Sequence, residues 1–310
     1  MIFADLNPFE RKPEALQETV ISGKGDGKIV LIDISRMISA DEDEGALGLR
    51  HRESTVARVA QTLQQAREDE DVKALVLRIN SPGGTVGASD VIYHEIRAFA
   101  VKKRVPVVAQ FLDLGTSGAY YVALSADEIV AQPTSVTGSI GVILFGLNLE
   151  GLLDKVGVKD QTLKAGANKD MGSPLRPLRP DERAILQGVL DSMHTRFIDL
   201  VRERRPNLTP DNVKQATDGR IFTADQALQL GLVDRLGYLD DAIASAKQRA
   251  GLTQAKVVVY HRPSEYSENI YSAAGLNPAE INLLNFDFGG LMHDEAQFMY
   301  LWRPTLSGGS

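Results

Sequence analysis

The order of apolar and polar positions along the chain predicts strands that alternate with helices. Short apolar runs rich in β-branched residues lie at 28–34 (KIVLIDI), 72–79 (VKALVLRI) and 105–111 (VPVVAQF), and such runs are typical of buried strands. Between them, residues 54–68 and 88–102 carry apolar side chains at helical spacing. Strands that are joined through helices pair in parallel, so we expect an α/β core.

The same alternation continues towards the C-terminus in shorter elements. We expect helices over 117–126, 149–156 and 181–205 and strands over 128–131, 140–144, 159–165 and 256–260. The long helix has acidic residues in its first turn and arginines in its last, as the helix dipole favours. The segment before it, 166–179, is rich in Gly and Pro and is expected to be a loop.

A single catalytic domain over 28–261 is the simplest division of the chain. Residues 1–27 are polar and end in the glycine-rich GKGDG, which predicts a leader. Residues 262–310 show no sustained periodicity and are expected to form a C-terminal extension. The aromatic residues of this extension are predicted to pack on a neighbouring subunit or over the site; they are Phe286, Phe288, Phe298, Tyr300 and Trp302.

Composition and charge exclude several classes of function. The 310 residues carry a net charge of -7, which argues against a nucleic-acid binder, because phosphates must be met by a basic face. The absence of cysteine excludes disulfides, thiolate catalysis and cysteine-ligated zinc. We see no signal peptide, and the longest uncharged stretch, 129–149, contains Pro133 and several glycines, so no transmembrane segment is expected. A cytoplasmic protein, or one in peripheral contact with a membrane, is the expectation.

Two glycine-rich segments follow predicted strands and could form a site. Residues 80–87 are expected to form a loop. In its NSPGG segment (80–84), tandem glycines let the backbone turn sharply and bring an N–H to a ligand, although a tight turn is the commoner use of such a sequence. In GTSGAYY (115–121), Ser117 lies where a strand leads into a helix, next to the free N–H of Gly118. This arrangement is similar in principle to a nucleophile elbow, although the Gly-x-Ser-x-Gly spacing is not met. The alternative is an N-cap serine.

A nucleophilic serine also needs a general base. Two of the five histidines, His94 and His194, lie in predicted helices, and none is in a glycine-bracketed loop, so a Ser-His-Asp triad has no support. Lys169 lies in the loop AGANKD (165–170) among small residues and is another candidate. Its alternative interpretation is a solvated loop lysine.

The segments together resemble the signal peptide peptidase A family of serine peptidases. The resemblance covers residues 28 to 251 and rests on long motifs in a fixed order: LRINSPGGTV (77–86), TSGAYYVALSADEIVAQPTSVTGSIGVI (116–143), KAGANKDMGSP (164–174) and DGRIFTADQALQLGLVDRLG (218–237). It implies a ClpP/crotonase-like fold of parallel sheet layers packed with helices. It also implies a serine endopeptidase that acts on signal peptides or other small hydrophobic peptides.

The resemblance assigns a role to each candidate residue. Ser117 is implied as the nucleophile and Lys169 as the general base, while Ser139 would orient the lysine. The backbone N–H groups of Gly84 and Gly118 would form the oxyanion hole. No metal or cofactor is implied.

The chemistry of a lysine base adds an expectation about burial. An ordinary lysine has a pKa near 10.4 and is protonated at neutral pH, so a lysine that acts as a base must be desolvated. We therefore expect Lys169 to be buried in the assembled site beside Ser139 and Ser117, with Asp170 pointing away. Relatives with one copy of this domain form rings or domes in which serine and lysine can come from adjacent protomers. A homo-oligomer such as an octamer, with active sites at protomer interfaces, is thus implied by resemblance.

Two rival functions remain at this point. A crotonase-type acyl-CoA enzyme also uses backbone N–H groups as an oxyanion hole, but it would need a CoA site and catalytic carboxylates. A catalytically inactive scaffold would keep the fold and lose the chemistry. A covalent serine probe separates both rivals from a peptidase.

Overall fold

The computed structural model describes residues 15–41, 43–44, 51–262 and 298–302. Its strands are β1 (Gln17–Gly23), β2 (Lys28–Ile38), β3 (Asp43–Glu44), β4 (His51–Arg52), β5 (Val72–Thr85), β6 (Val107–Thr116), β7 (Glu128–Ala131), β8 (Val136–Gly138), β9 (Ile143–Leu144), β10 (Ile221–Thr223), β11 (Arg235–Leu236), β12 (Lys256–His261) and β13 (Phe298–Leu301). Its helices are α1 (Thr55–Glu68), α2 (Val86–Lys103), α3 (Gly118–Ala123), α4 (Glu150–Lys155), α5 (Pro180–Arg204), α6 (Pro210–Ala216), α7 (Ala224–Leu230) and α8 (Leu239–Arg249).

A mostly parallel sheet forms the centre of the protein. Its strand order is β1-β12-β2-β5-β6-β7-β11, and every neighbouring pair from β12 to β11 is parallel. The apolar runs of β2, β5 and β6 are buried almost throughout, because helices cover both faces of the sheet. The predicted α/β class is confirmed.

Helices pack on the two faces of this sheet in unequal numbers. Leu63 of α1, Ile92 of α2 and Phe197 of α5 belong to the larger core on one face. On the other face α8 packs Leu239 and Ala242 against apolar residues of β2 and β5. The helices expected over 54–68, 88–102 and 181–205 are confirmed to within two residues at each end.

Strand β5 is longer than expected and runs through the NSPGG segment. The loop predicted for 80–87 is wrong over 80–85, because residues 83 and 84 continue to pair with Met37 and Ile38 of β2. A register shift interrupts the pairing with β2 between Ser35 and Met37, and another interrupts the pairing of β5 with β6 between Ile79 and Ser81. Such irregularities bend a strand without removing it from the sheet. The glycine segment therefore lies at the carboxyl end of the central strand.

Two other segments also differ from expectation. β1 lies inside the predicted 1–27 leader and pairs antiparallel with β12, so the second half of that segment is part of the sheet. The strand expected over 159–165 is wrong: these residues are irregular and exposed, and Leu163 is 98% exposed. None of the helices in the described ranges has both the length and the apolar run needed to cross a bilayer.

Candidate active site

Ser117 lies at the sharp junction between β6 and α3. Its φ of 54° is in the left-handed region, which costs a residue with a side chain about 1–3 kcal/mol. The surroundings fix this conformation, since the Ser117 N–H donates to the carbonyl of Gly138 at 2.7 Å and its own carbonyl accepts from the N–H of Tyr121 at 2.9 Å. Strain that is held in place by backbone hydrogen bonds is a feature of functional turns.

The hydroxyl of Ser117 is buried and forms no hydrogen bond with the described residues. The residue is 1% exposed, and its Oγ has no hydrogen-bond partner among the described residues. The hydroxyl does not cap α3, so the N-cap interpretation does not account for this serine. A buried polar group without a partner needs another explanation, such as a reaction that uses it.

The two amides expected to bind an oxyanion lie side by side. A Cβ built on Gly118 would lie 3.1 Å from the backbone nitrogen of Gly84 and 2.4 Å from Oγ of Ser89. Gly118 therefore packs against the glycine strand with no room for a side chain. Its N–H belongs to the first turn of α3, where intrahelical partners are absent.

Gly84→Ala is expected to lower the free energy of unfolding by at least about 1–3 kcal/mol and to lower activity. The added methyl would lie 1.9 Å from the carbonyl oxygen of Ile38, a backbone atom that can move only if β2 and β5 separate. Gly87→Ala is the matched control, since its methyl would meet nothing within 4 Å and alanine favours helix α2 by about 0.5–1 kcal/mol. Urea unfolding of both variants checks this, and equal losses of stability would contradict it.

Ser139 lies next to the backbone carbonyl that holds Ser117 in place. It follows Gly138, whose carbonyl accepts from the N–H of Ser117, and its own N–H donates to the carbonyl of Arg220 at 2.7 Å. Its φ is 51° and the residue is largely buried. The two serines thus each follow the last residue of a strand, and these strands, β6 and β8, pair with each other.

Lys169 lies apart from both serines. It is exposed, in a turn where its N–H donates to the carbonyl of Gly166 at 3.2 Å. The contacts described for the single chain do not bring its ammonium to Ser117 or Ser139. The burial expected for this lysine is not found among the described residues.

A cluster of charges that the sequence did not reveal holds the segment around Lys169. The carboxylate of Asp170 accepts from Nε of Arg176 at 2.8 Å and from Nζ of Lys164 at 2.5 Å, and these bonds hold its pKa well below the usual range. Arg176 also donates to both carboxylate oxygens of Glu182, at 2.9 and 2.6 Å, in the first turn of α5. The arginine therefore ties the lysine's neighbour to a rigid helix, an arrangement that only the folded backbone reveals.

This cluster predicts a specific response to acid. Hydrogen bonds from Arg176 lower the pKa of the buried Glu182 carboxyl to about 2. Because this pKa is lower in the folded state, the Glu182 carboxylate stabilises the folded state at pH values above 4.5, its ordinary pKa. This stabilisation is lost as the pH falls towards 2. The gap in Tm between the wild-type protein and Arg176→Met should therefore shrink from pH 5 to pH 2.

Thermal unfolding at a series of pH values measures this gap. Arg202→Met on the same helix is the control, because Arg202 forms an exposed pair with Asp199 and should change Tm little at any pH. A gap for Arg176→Met that stays constant with pH would contradict the assigned role of Glu182.

Part of the C-terminal extension also reaches this site. The backbone N–H of Trp302 donates to the carbonyl of Pro82 at 2.8 Å, and Tyr300 is fully buried. The prediction that aromatic residues of the tail lie over the site is consistent with these three positions, 298, 300 and 302. Phe286 and Phe288 lie outside the described residues.

Comparison with known proteins gives a consistent set of relatives. The model of peptidase family S49 matches residues 100–253. A protein of Enterococcus faecium, described as a putative signal peptide peptidase SppA, is 39% identical over 252 residues, which are 81% of this chain and 72% of that protein. A putative protease of Synechocystis is 46% identical over 190 residues, 61% of this chain and 68% of that protein.

More distant matches come from an archaeon and from solved structures. A putative protease of Methanocaldococcus jannaschii is 34% identical over 236 residues, 76% of this chain and 75% of that protein. The solved structure of a membrane-bound stomatin-specific protease aligns with a TM-score of 0.45 at 12% identity, over 72% of this chain and 86% of that one. ClpP1 from Listeria monocytogenes aligns with a TM-score of 0.43 at 16% identity, over 69% of this chain and 94% of that one.

Proposed function

The chain belongs to the signal peptide peptidase A family, peptidase family S49, and is a serine peptidase; on that premise we propose that Ser117 is its nucleophile and Lys169 its general base. The observation that carries the proposal is the Ser117 hydroxyl, which is buried, without a partner among the described residues and held on a strained turn. The neighbouring amides of Gly84 and Gly118 support it, because they supply the donors that an oxyanion needs.

The proposed reaction proceeds through an acyl-enzyme. The neutral amine of Lys169 takes the proton of the Ser117 hydroxyl while Oγ attacks the scissile carbonyl carbon. The N–H groups of Gly84 and Gly118 bind the oxyanion, and losing one such donor typically lowers the rate about 10²–10³-fold. The lysine then gives its proton to the leaving amine, and a water deprotonated by the same lysine hydrolyses the ester.

Ser139 is proposed to orient the base. Its segment is joined to that of the nucleophile through the carbonyl of Gly138, so a lysine reaching Ser117 would also come within reach of Ser139. A neutral hydroxyl can accept a hydrogen bond from the lysine without adding the charge that would keep it protonated. This is the chemical reason for a second serine rather than a carboxylate at this point.

We propose that the lysine is supplied by an adjacent protomer of a ring or dome, an octamer being one such assembly. The segment that carries Lys169 is exposed in the single chain together with an unusual set of large apolar side chains, each at least 48% exposed: Ile143, Phe145, Leu147, Leu152, Val156, Val158 and Leu163. Exposed apolar side chains concentrated in one segment are typical of a subunit interface. A second copy of the chain would cover them and bury the lysine.

Peptides are the substrates that this site suits. An extended peptide can pair with β5 and β9 by backbone hydrogen bonds, in the place that β13 takes in this structure. The relative from Enterococcus faecium is described as a signal peptide peptidase, so signal peptides or other small hydrophobic peptides are the proposed class. A cytoplasmic or membrane-peripheral location is part of the same proposal.

A covalent probe tests the proposed nucleophile. The intact protein is treated with a fluorophosphonate, digested and examined by mass spectrometry. We expect one adduct, on Ser117, and its loss in Lys169→Ala. An adduct on another serine would overturn the nucleophile, and no adduct at all would favour the inactive scaffold or the acyl-CoA enzyme.

A further inference from the structure

The two proposed oxyanion donors lie at the starts of two different helices. Gly84 immediately precedes Thr85, which caps α2 by accepting from the N–H of Ala88 at 3.3 Å. Gly118 is the first residue of α3. The distance between the two amides therefore depends on how the first turn of α3 is held against α2.

Helix α3 is too short to fix its own orientation. It has 6 residues, and isolated helices shorter than about 12–15 residues are marginal in water. Its first turn contacts Ser89 of α2, which is fully buried and whose Oγ donates to the carbonyl of Thr85 at 2.9 Å. A Cβ built on Gly118 would lie 2.4 Å from this Oγ. The contact keeps the two helices from moving closer, but a steric contact does not keep them from moving apart.

A hydrogen bond between the same two helices opposes their separation. The hydroxyl of Tyr121, in the turn that begins with Gly118, donates to Oδ1 of Asp90 on α2 at 2.6 Å. The backbone N–H of Tyr121 also donates to the carbonyl of Ser117 at 2.9 Å. Tyr121 thus connects the turn that carries the nucleophile to α2.

The ring of Tyr121 is held in place by aromatic neighbours. Its centroid lies 5.6 Å from that of Tyr93 on α2 and 4.9 Å from that of Phe197 on α5, both in edge-on geometry. The residue is almost fully buried. Removal of the hydroxyl alone would leave this packing intact, so the hydrogen bond can be tested separately from the ring.

The charges around Asp90 give this hydrogen bond one direction. Partial burial alone would raise the pKa of Asp90, but the hydrogen bonds from Tyr121 and from Arg196 of α5 hold it below its ordinary value. Burial, and then the bond to Asp90, raise the pKa of Tyr121. At neutral pH the carboxylate therefore accepts and the phenol donates. The ion pair of Asp90 with Arg196 is exposed, and such pairs contribute little to stability.

We propose that Asp90 is a positioning residue of the peptidase reaction, which acts through the hydroxyl of Tyr121 to hold the Gly118 amide in place. The inference rests on the proposed function and deepens it. An oxyanion is stabilised by donors about 2.7–3.1 Å away, and a displacement of about 1 Å can lower a rate about 10²-fold. Because the oxyanion exists only after the attack on the carbonyl, loss of this hydrogen bond should lower kcat and leave KM unchanged.

Steady-state hydrolysis of a fluorogenic peptide tests the inference. Tyr121→Phe and Asp90→Ala should each lower kcat about 10- to 100-fold, with KM within about twofold of the wild-type value. The double variant should lose no more than about threefold beyond either change, because both remove the same bond. Asp90→Asn should stay within about threefold of the wild-type kcat, because its amide oxygen still accepts from the phenol.

Glu95→Ala is the matched control for Asp90→Ala. Glu95 lies on the same helix, and its carboxylate likewise accepts from an arginine, but this arginine is Arg67 of α1, at 2.9 Å. Its removal should leave kcat near the wild-type value.

The opposite result is recognised from the number of intact sites. Tm and the fraction of protein labelled by a fluorophosphonate are measured for every variant. If Tyr121→Phe and Asp90→Ala keep the wild-type kcat, or lose it only in proportion to the labelled fraction, the hydrogen bond has only a structural role and the inference is overturned. Where Tyr121→Phe does not fold, Asp90→Ala decides, since the side chain of Asp90 is 39% exposed.

Inhibition by a peptide aldehyde separates this inference from the catalytic proposal. Trileucine aldehyde forms a hemiacetal with a nucleophilic serine, and its oxyanion needs the same two donors as the transition state. We expect its Ki to rise about 10- to 100-fold in Asp90→Ala, in step with the loss of kcat/KM. Trileucine amide cannot react, and its Kd for Ser117→Ala should not change when Asp90→Ala is added.

The two failures have different signatures. An unchanged aldehyde Ki in Asp90→Ala would overturn the positioning role and leave the nucleophile in place. Wild-type activity that survives in Ser117→Ala would overturn the nucleophile, whatever the response of Asp90→Ala.

Discussion

Ser117→Ala is expected to lower kcat by at least about 10⁴-fold, because the acyl-enzyme cannot form without the hydroxyl. The fold should survive the change. The oxygen removed has no partner among the described residues, and alanine meets the same backbone strain at φ 54° that serine already bears. Steady-state hydrolysis of a peptide substrate, with Tm measured in parallel, gives both quantities.

Ser125→Ala is the matched control for this prediction. Ser125 follows the same short helix, is fully buried, and likewise has an Oγ without a partner in the described part of the chain. Its removal should leave kcat near the wild-type value. If Ser117→Ala keeps most of its activity, or if both variants lose it equally, the nucleophile has been wrongly assigned.

Lys169→Ala should lower kcat by about 10²–10⁴-fold, as expected for the loss of a general base. A more specific test is to mix two inactive variants in one assembly. If the base is supplied by a neighbouring protomer, co-assembly of Lys169→Ala with Ser117→Ala subunits in equal amounts restores about a quarter of the sites. Each restored site pairs the intact serine of one subunit with the intact lysine of the next.

Activity of co-expressed, differently tagged subunits measures this restoration. Lys159→Met is the control, since Lys159 lies on the same exposed segment and pairs only with Asp154 in the described structure. It should retain wild-type activity. A mixture with no more activity than its two components would show that serine and lysine act within one chain, or that Lys169 is not the base.

Much of the fold follows from local patterns, because the strands are apolar and rich in β-branched residues and the helices keep their periodicity. β2, α1, α2 and α5 were predictable for this reason. The extension of β5 through NSPGG was not, since it depends on pairing with Ile38, more than forty positions earlier in the chain. The prediction of a strand over 159–165 failed for the converse reason, because none of the strands in the described residues pairs with this segment.

The candidate site was likewise predictable from the sequence only in part. The motifs predict which residues are candidates, namely Ser117, Lys169 and the glycines, because each proposed role requires a particular chemical group. They do not reveal distances. Three features depend on which backbone segments meet after folding: the exposure of Lys169, the hydrogen bonds from Arg176 to Glu182, and the pairing of Tyr300 with Gly84.

The pairing of β1 with β12 has a consequence for biosynthesis. Gln17 lies opposite His261, and β12 itself is placed between β1 and β2. β1, the first of the described strands along the chain, therefore lacks its partner until β12 (Lys256–His261) has been made. Until then the edge of β2 that β12 will cover is open, and an open edge invites pairing with other chains. Completion of the sheet is thus a late event, and chains that stop before residue 256 would be the ones that aggregate.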